Sequence, residues 1–357
     1  MMMKRIGAWM LLALLTLVGE WSGRCYGCLE EERIGLLEIQ SLIHPYGFYL
    51  RDWVDDNSNC CEWYGIECDN TTRRVIQLSL PYARDFRLGD WVLNASLFLP
   101  LKELQSLDLV YTGLVGCMEN EGFEVLSSKL RELDLSANRF NNDKSILSCF
   151  NGNLSTLKSL DLSFTELTAG SEGSFNGLKV LSSRLKKLEN LHLNGNQYND
   201  SIFPSLTGFS SLKSLDLSRN KLTGSGFEII SSHLGKLENL DLSYNIFIDN
   251  ILSHLHGLSS LKSLNLSGNM LLGSTTVNGL RMLEFLQSLP ISLKTLSLKD
   301  TNLSQGTFFN SSTLKELHLD NTSLPINFLQ NIGALPALKV LSVAKCDLHG
   351  TLPTQGK

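Results

Sequence analysis

The segment SLKSLDLSRNKL, residues 211–222, decides the fold because it recurs along the chain in one frame. Close copies are NLSTLKSLDLSFTEL at 153–167 and SLKSLNLSGNML at 260–271. The shared frame is L-x-x-L-x-x-L-x-L-x-x-N/T/C-x-L, and we number each copy from its register leucine, the one that opens the L-x-L unit. The register leucines are Leu78, Leu107, Leu133, Leu160, Leu191, Leu215, Leu240, Leu264, Leu296, Leu317 and Leu341.

This frame is the leucine-rich-repeat pattern, whose period is about 20–29 residues. From Leu107 to Leu341 the mean interval is 26 residues, nine intervals over 234 positions. Each L-x-L unit predicts a short strand with its leucines inward. Because a repeat buries its leucines only against its neighbours, the repeats must stack. We therefore predict an α/β repeat solenoid over residues 75–357, a horseshoe of about eleven repeats with a parallel inner β-sheet.

The outer segments differ in length, and the longer ones have helical spacing of their apolar residues. These are GFEVLSSKL at 122–130, GLKVLSSRL at 177–185 and GFEIISSHL at 226–234. Their i, i+3, i+4 pattern predicts short helices on the convex side.

The fifth position after each register leucine predicts a structural ladder. A buried asparagine amide there can satisfy backbone groups of its own loop and of the neighbouring loop, which would each cost about 1–3 kcal/mol if left unpaired. Threonine takes the position in four repeats, and alanine takes it in the first. Cys346 takes it in the last, so we expect a buried free thiol there. The asparagines are Asn138, Asn196, Asn220, Asn245 and Asn269.

The N-terminus predicts export. Lys4 and Arg5 precede an uncharged, mostly apolar run of 13 residues from Gly7 to Gly19, which is short of the roughly 20 residues that span a bilayer. We interpret residues 1–27 as a secretory signal peptide, with a short uncleaved anchor as the alternative. The net charge of −5 argues against a nucleic-acid binder, which would need a basic face for phosphates.

The cysteines and glycosylation sequons agree with export. Five of the eight cysteines precede residue 70, which in an oxidising compartment predicts a disulfide framework. Zinc is the competing interpretation for Cys60, Cys61 and Cys68, but these three contain no CxxC pair and have no histidine at ligand spacing, so we expect no metal and no cofactor. Eight Asn-x-Ser/Thr sequons predict N-glycosylation. They are at Asn70, Asn94, Asn153, Asn199, Asn265, Asn302, Asn310 and Asn321.

Residues 28–74 form a separate unit ahead of the repeats. The segment CLEEERIGLLEIQSLI predicts an amphipathic helix with apolar Ile34, Leu37, Ile39, Leu42 and Ile43. The glutamates near its N-terminus stabilise such a helix because their negative charges interact favourably with the helix dipole. Tryptophans 53 and 63 add apolar area near the cysteines. An open solenoid end exposes leucines, and we expect this unit to cap that end.

The cap resembles that of plant extracellular leucine-rich-repeat receptors, most closely the kinase-less receptor-like proteins. The residues that carry the resemblance are CLEEERIGLL at 28–37, Trp53, CCEWYGIEC at 60–68 and RRVIQLSL at 73–80. The resemblance implies the disulfides Cys28–Cys60 and Cys61–Cys68. Cys117 and Cys149 lie in successive repeats and are a candidate convex-side bridge, whereas Cys25 has no assigned partner.

The chain also departs from the receptor-like pattern. The G-x-I/L-P signature of plant repeats is complete only at Gly350–Pro353, and the sequence stops at Lys357 just after a repeat. We therefore expect an array truncated at its C-terminus, with a bare last repeat that favours association.

The sequence predicts binding and no enzymatic activity, since kinase signatures are absent. Among strand residues on the inner wall, the candidate ligand face is Tyr111, Phe164, His192, Arg219 and Tyr244. Glycans at two of the sequons, those at positions 265 and 321, would cover part of this wall.

The resemblance implies a receptor ectodomain at the plasma membrane, or secreted where no anchor follows. Its ligand would be a peptide, protein or glycan, and its partners membrane receptor kinases in defence or development. The alternative is a secreted protein similar to polygalacturonase-inhibiting proteins.

Overall fold

The computed structural model describes residues 27–45, 49–55, 58–126, 128–140, 143–152, 154–168, 177–271, 289–303, 313–326, 328 and 335–349. Most of the predicted signal peptide, Cys25, the sequons at Asn153 and Asn310, and the Gly350–Pro353 signature lie outside these residues.

The α-helices are α1 Glu30–Ile43, α2 Asp143–Ser148, α3 Gly177–Arg184, α4 Phe203–Leu206 and α5 Glu228–His233. The 3-10 helices are Cys60–Glu62, Phe86–Leu88, Ala95–Phe98, Phe123–Leu126, Asp200–Ile202 and Asp249–Gly257. The strands, in chain order, are β1 Ile66–Cys68, β2 Val75–Ser79, β3 Trp91–Leu93, β4 Ser106–Asp108, β5 Leu114–Cys117, β6 Glu132–Asp134, β7 Ser159–Asp161, β8 Asn190–His192, β9 Ser214–Asp216, β10 Asn239–Asp241, β11 Ser263–Asn265, β12 Thr295–Ser297, β13 Glu316–His318, β14 Ser323–Pro325, β15 Val340–Ser342 and β16 Asp347–His349.

The inner sheet confirms the predicted solenoid. Eleven strands, from β2 to β15, pair in parallel, and β1 joins the N-terminal edge antiparallel to β2. Register leucine faces register leucine at every parallel step, for example Leu215 against Leu240 and Leu240 against Leu264. Because all of these leucines except the outermost, Leu341, are buried in the same layer, the repeats share one continuous hydrophobic core.

Two short parallel sheets lie beside this inner sheet. One joins β3 to β5 and the other joins β14 to β16. The predicted outer helices appear as α3 and α5, whereas the segment 122–130 forms the 3-10 helix Phe123–Leu126.

The cap helix α1 buries a different face from the one that its apolar residues suggested. Leu36, Ile39 and Ile43 are buried, but Ile34 and Leu42 are about half exposed. Polar residues occupy the rest of the buried face, and among them Glu32 is fully buried. The helix therefore packs on the solenoid end through a mixed surface.

Three disulfides join six of the seven described cysteines. Cys28–Cys60 and Cys61–Cys68 lie in the cap, with Cα–Cα distances of 5.7 Å and 5.6 Å. The third bond joins Cys117 at the end of β5 to Cys149 just after α2, with Cα atoms 4.8 Å apart. Ring stacking of Trp53 and Trp63, with centroids 5.6 Å apart, completes the cap interior.

The ladder amides connect consecutive repeats through the backbone. Asn138 donates its amide to the carbonyls of Leu109 and Leu135, at 2.8 Å and 2.9 Å, and its oxygen accepts from the amides of Thr112 and Leu114 at 3.0 Å and 2.9 Å. One side chain thus holds its own loop to the preceding one. The other asparagines repeat the donation to both loops.

The final ladder position differs from the expectation of a buried thiol. Cys346 is free and donates its thiol to the carbonyl of Leu319 at 3.0 Å, but it is only half-buried. It follows β15, the outermost strand of the described inner sheet, where Leu341 and Val343 are 36% and 37% exposed. The thiol is therefore less covered than the ladder residues between repeats.

Candidate ligand-binding face

The residue four positions after each register leucine has a left-handed backbone in all eleven repeats, with φ between 52° and 67°. We call this column the left-handed ridge. From the N-terminal to the C-terminal end it comprises Tyr82, Tyr111, Ala137, Phe164, Gly195, Arg219, Tyr244, Gly268, Asp300, Asn321 and Lys345. Left-handed backbone costs most L-residues about 1–2 kcal/mol, and glycine adopts it without that cost.

Bonds between repeats maintain the ridge. The backbone amide of Tyr111 donates to the carbonyl of Ser136 at 3.0 Å, and the amide of Phe164 donates to that of Asn194 at 2.9 Å. Equivalent bonds recur along the ridge because each strand must turn inward to reach the ladder position that follows. The unusual backbone therefore belongs to the repeat frame.

The ridge carries large exposed side chains despite that cost. Tyr82, Tyr111, Phe164 and Tyr244 are between 44% and 60% exposed. Their rings therefore do not recover the backbone cost by burial.

Glycines on the ridge make room for two of these rings. A Cβ added to Gly195 would overlap the Phe164 ring, and a Cβ added to Gly268 would overlap the Tyr244 ring. Each ring therefore extends over the ridge glycine of the next repeat, which leaves space for it.

Gly195→Ala should lower the free energy of unfolding by about 1–2 kcal/mol, because alanine must adopt the left-handed backbone and displace the Phe164 ring. Urea unfolding followed by circular dichroism measures this. Gly235→Ala is the matched control, since Gly235 has open space around its Cβ position and no left-handed φ. Equal midpoints for the two variants would contradict the prediction.

Polar contacts continue the ridge toward the C-terminal end. The Arg219 guanidinium lies 4.6 Å from the centre of the Tyr244 ring, and the Tyr244 hydroxyl donates to Asp300 at 2.9 Å. Asn321 donates its side-chain amide to the same carboxylate at 2.6 Å. The hydrogen bond to Asp300 and partial burial raise the pKa of Tyr244. These contacts fix the side chains and preorganise this part of the surface.

An acidic column runs beside the ridge at the middle position of the L-x-L units. Each of its aspartates accepts a hydrogen bond from the backbone amide two residues later, as Asp134 does from Ser136 at 2.8 Å. Burial, followed by the charges of neighbouring aspartates, raises the pKa of Asp134 and of Asp216. The column comprises Asp108, Asp134, Asp161, Asp216 and Asp241.

The structure divides the predicted ligand face between these two columns. The ridge includes four of the predicted residues, Tyr111, Phe164, Arg219 and Tyr244. His192, on β8, instead takes the strand position that the aspartates of the acidic column take in other repeats. Sequence reasoning missed Tyr82, although the repeat frame places it on the ridge of the first repeat. The ridge glycines were the available signal, since they share that position.

Two of the described sequons affect the inner wall. Asn265, on β11, donates its amide to Asp241 at 2.8 Å, and Asn321 bonds Asp300. The others lie away from the strands of the inner sheet: Asn70 and Asn199 are exposed, Asn94 caps the 3-10 helix Ala95–Phe98, and Asn302 is exposed beside the ladder.

The described residues offer neither a metal centre nor a bilayer span. They bring no three histidine, cysteine, aspartate or glutamate side chains into an arrangement that could hold an ion. Within the same residues, no helix is both long enough and apolar enough to cross a membrane.

Comparison with known proteins identifies two parts of the chain. Residues 29–69 match the leucine rich repeat N-terminal domain, and residues 211–233 match the leucine rich repeat. Cuscuta receptor 1 of Solanum lycopersicum is 37% identical over 234 residues, which are 56% of this chain and 21% of that protein. Receptor like protein 21 of Arabidopsis thaliana is 34% identical over 236 residues, 60% of this chain and 22% of that protein.

The chain thus spans about a fifth of the length of these curated relatives. Among solved structures, a plant ice-binding protein superimposes with a TM-score of 0.50 at 24% identity, covering 92% of this chain and 90% of that chain. At this identity, the superposition shows the shared fold alone.

Proposed function

The chain is a leucine-rich-repeat protein whose curated homologues are plant receptor-like proteins, and from this premise we propose that it is the ligand-binding part of an extracellular receptor. Its task in this proposal is to bind a peptide or protein on the inner wall. Catalysis has no part in it.

The observation that carries the proposal is the left-handed ridge. Exposed rings at Tyr111, Phe164 and Tyr244 stand on a backbone that glycine would adopt more cheaply, and glycine does stand there at positions 195 and 268. Aromatic side chains supply large contact area with few rotatable bonds, which is why they dominate binding hot spots. A ligand that covers the ridge would recover the burial that the rings lack.

The finer parts of the proposal extend the family resemblance. We place the chain in the secretory pathway, with residues 1–27 as the signal peptide, residues 28–74 as the cap and the sequons as sites of glycosylation. The whole receptor would lack a kinase, lie at the plasma membrane and act in defence or development through partner receptor kinases.

Selection of ligands tests the binding role. The secreted chain is immobilised and probed with a random 12-residue peptide library displayed on phage, and the selected peptides are then measured by calorimetry. Phe164→Asn and Tyr244→Asn remove the rings while keeping a residue that tolerates left-handed backbone. We expect each to weaken binding about tenfold or more, as hot-spot truncation does.

Lys236→Asn is the matched control, because Lys236 is exposed on the loop after α5, away from the ridge. It should leave the affinity unchanged. An absence of selected peptides, or peptides that bind equally to the two ridge variants, would overturn the proposal.

A further inference from the structure

Four exposed tyrosines form two pairs where the cap joins the first repeats. The Tyr49 and Tyr64 rings pack edge to face with centroids 5.5 Å apart, and their hydroxyls are 3.3 Å apart. The Tyr82 and Tyr111 rings form a second pair, tilted at 45° with centroids 5.2 Å apart. All four are at least 37% exposed. We call these four residues the tyrosine cluster.

A chain of hydrogen bonds connects the cap residue beside Tyr64 to the Asp108 carboxylate. Gly65, next to Tyr64, accepts from the backbone amide of Ser79 at 2.7 Å, and the Ser79 hydroxyl donates to Asp108 at 2.7 Å. Asp108 stands three residues before Tyr111 on the same repeat. Burial and the hydrogen bond to the Tyr64 hydroxyl raise the pKa of Tyr49 to about 12, and the nearby Asp108 and Tyr82 add to the rise.

The Asp108 carboxylate is stabilised only by neutral donors among the described residues. It accepts from Ser79 and from the backbone amide of Val110 at 2.9 Å, and no described lysine or arginine lies within ion-pair distance of it. Asp134 and Asp161 continue the acidic column on the next two strands. The negative charge of Asp108, beside the tyrosine cluster, is therefore available to a cation of a ligand.

Two arginines that share a recess with Tyr111 are already engaged. A recess of about 150 Å³ on the other side of Tyr111 contains Arg84 and Arg139. Arg84 lies 4.8 Å from the centre of the Trp91 ring and donates to the carbonyl of Gly89, while Arg139 pairs with Asp90 at 3.2 Å.

We infer that the tyrosine cluster, together with Asp108, binds a basic side chain of the peptide ligand, either arginine or lysine. The faces of phenol rings attract cations, and a carboxylate among them adds charge complementarity. An extended peptide that runs along the inner wall would then set a basic residue at this end, with Asp134 and Asp161 able to receive the next one. This inference rests on the proposed function, because it names the ligand chemistry of the same wall.

The probe is acetyl-Arg-Gly-Arg-amide, measured by calorimetry on the whole chain at low salt, with the isosteric and neutral citrulline peptide as its control. Extended, the probe reaches about 10 Å, which is the width of two strand spacings. We expect the arginine peptide to bind at least about tenfold more tightly than the citrulline peptide. The double variant Tyr82→Asn/Tyr111→Asn and the single variant Asp108→Asn should each remove most of that preference.

Two comparisons keep the test specific. Lys236→Asn introduces the same side chain on the exposed loop after α5, away from the ridge, and it should leave arginine-peptide binding intact. The inference would be overturned if wild type bound the two peptides with equal affinity. It would also be overturned if the tyrosine-cluster and Asp108 variants bound the arginine peptide with undiminished affinity. Binding of phage-selected peptides through Phe164 and Tyr244 would persist in that case, so failure here is distinguishable from failure of the proposed function.

Discussion

Arg74→Ala should lower the free energy of unfolding of the cap by about 3–5 kcal/mol, since it leaves a buried carboxylate without its cation. Glu32 on α1 is fully buried, and Arg74 Nε donates to it at 2.8 Å. Without Arg74, the carboxylate keeps only longer bonds from the backbone amides of Leu29 and Val75, at 3.3 Å and 3.4 Å. Urea unfolding followed by tryptophan fluorescence reports on the cap, because Trp53 and Trp63 are stacked inside it.

Lys102→Ala provides the matched control. Lys102 forms an ion pair at 3.0 Å with Glu31, which lies on α1 next to Glu32. Both side chains are about half exposed, so Lys102→Ala should lower the free energy of unfolding by less than about 1 kcal/mol. Adding Glu32→Gln to Arg74→Ala should recover part of the stability, since a neutral amide is less costly to bury than an unpaired charge. Similar losses for Arg74→Ala and Lys102→Ala would show that the buried pair does not anchor the cap.

The Glu32–Arg74 pair also shows where sequence reasoning stopped. The pattern around α1 gave its N-terminal glutamates a single role, as partners of the helix dipole, and Glu30 and Glu31 are exposed there. The burial of Glu32 depends on a cation 42 residues later, next to β2. No local periodicity encodes a contact of that length, so the helix was predictable and its buried face was not.

The repeats behaved differently because their contacts are periodic. The spacing of the register leucines was sufficient to predict the order and register of the inner strands, and Leu264 pairs with Leu296 even across the longest interval. A period of two assigns side chains to the two faces of a strand, but it says nothing about the turn that follows. The ridge residues were therefore predicted as part of the wall, while their left-handed backbone appeared only in the structure.

The tyrosine cluster was also only partly predictable from the sequence. Tyr82 and Tyr111 share a repeat position and could have been grouped from the sequence. Tyr49 and Tyr64 belong to the cap, and they reach that position only because β1 pairs antiparallel with β2 at the sheet edge. The junction between a periodic and a non-periodic unit is where contacts are least visible in the sequence.

Asn138→Leu should cost about 3–5 kcal/mol, more than the same change at Asn220. In the preceding repeat the ladder residue is Thr112, so the Asn138 oxygen accepts from two buried backbone amides, those of Thr112 and Leu114. The Asn220 oxygen accepts from one, the amide of Tyr198 at 3.0 Å. Each orphaned donor costs about 1–3 kcal/mol, so Asn220→Leu should lose about 1–3 kcal/mol.

Urea midpoints of the two variants measure this difference, with Asn190→Leu as the control on the inner wall of β8, where the asparagine is half exposed. The predicted order of destabilisation is Asn138, then Asn220, then Asn190. Equal losses at Asn138 and Asn220 would mean that the backbone relaxes to water around the missing amide. Because a repeat array need not unfold in one step, the midpoints should be followed by two probes, and the order must hold for both. A graded response would tie stability to the number of backbone donors that each ladder residue satisfies, which depends on the residue that stands one repeat earlier.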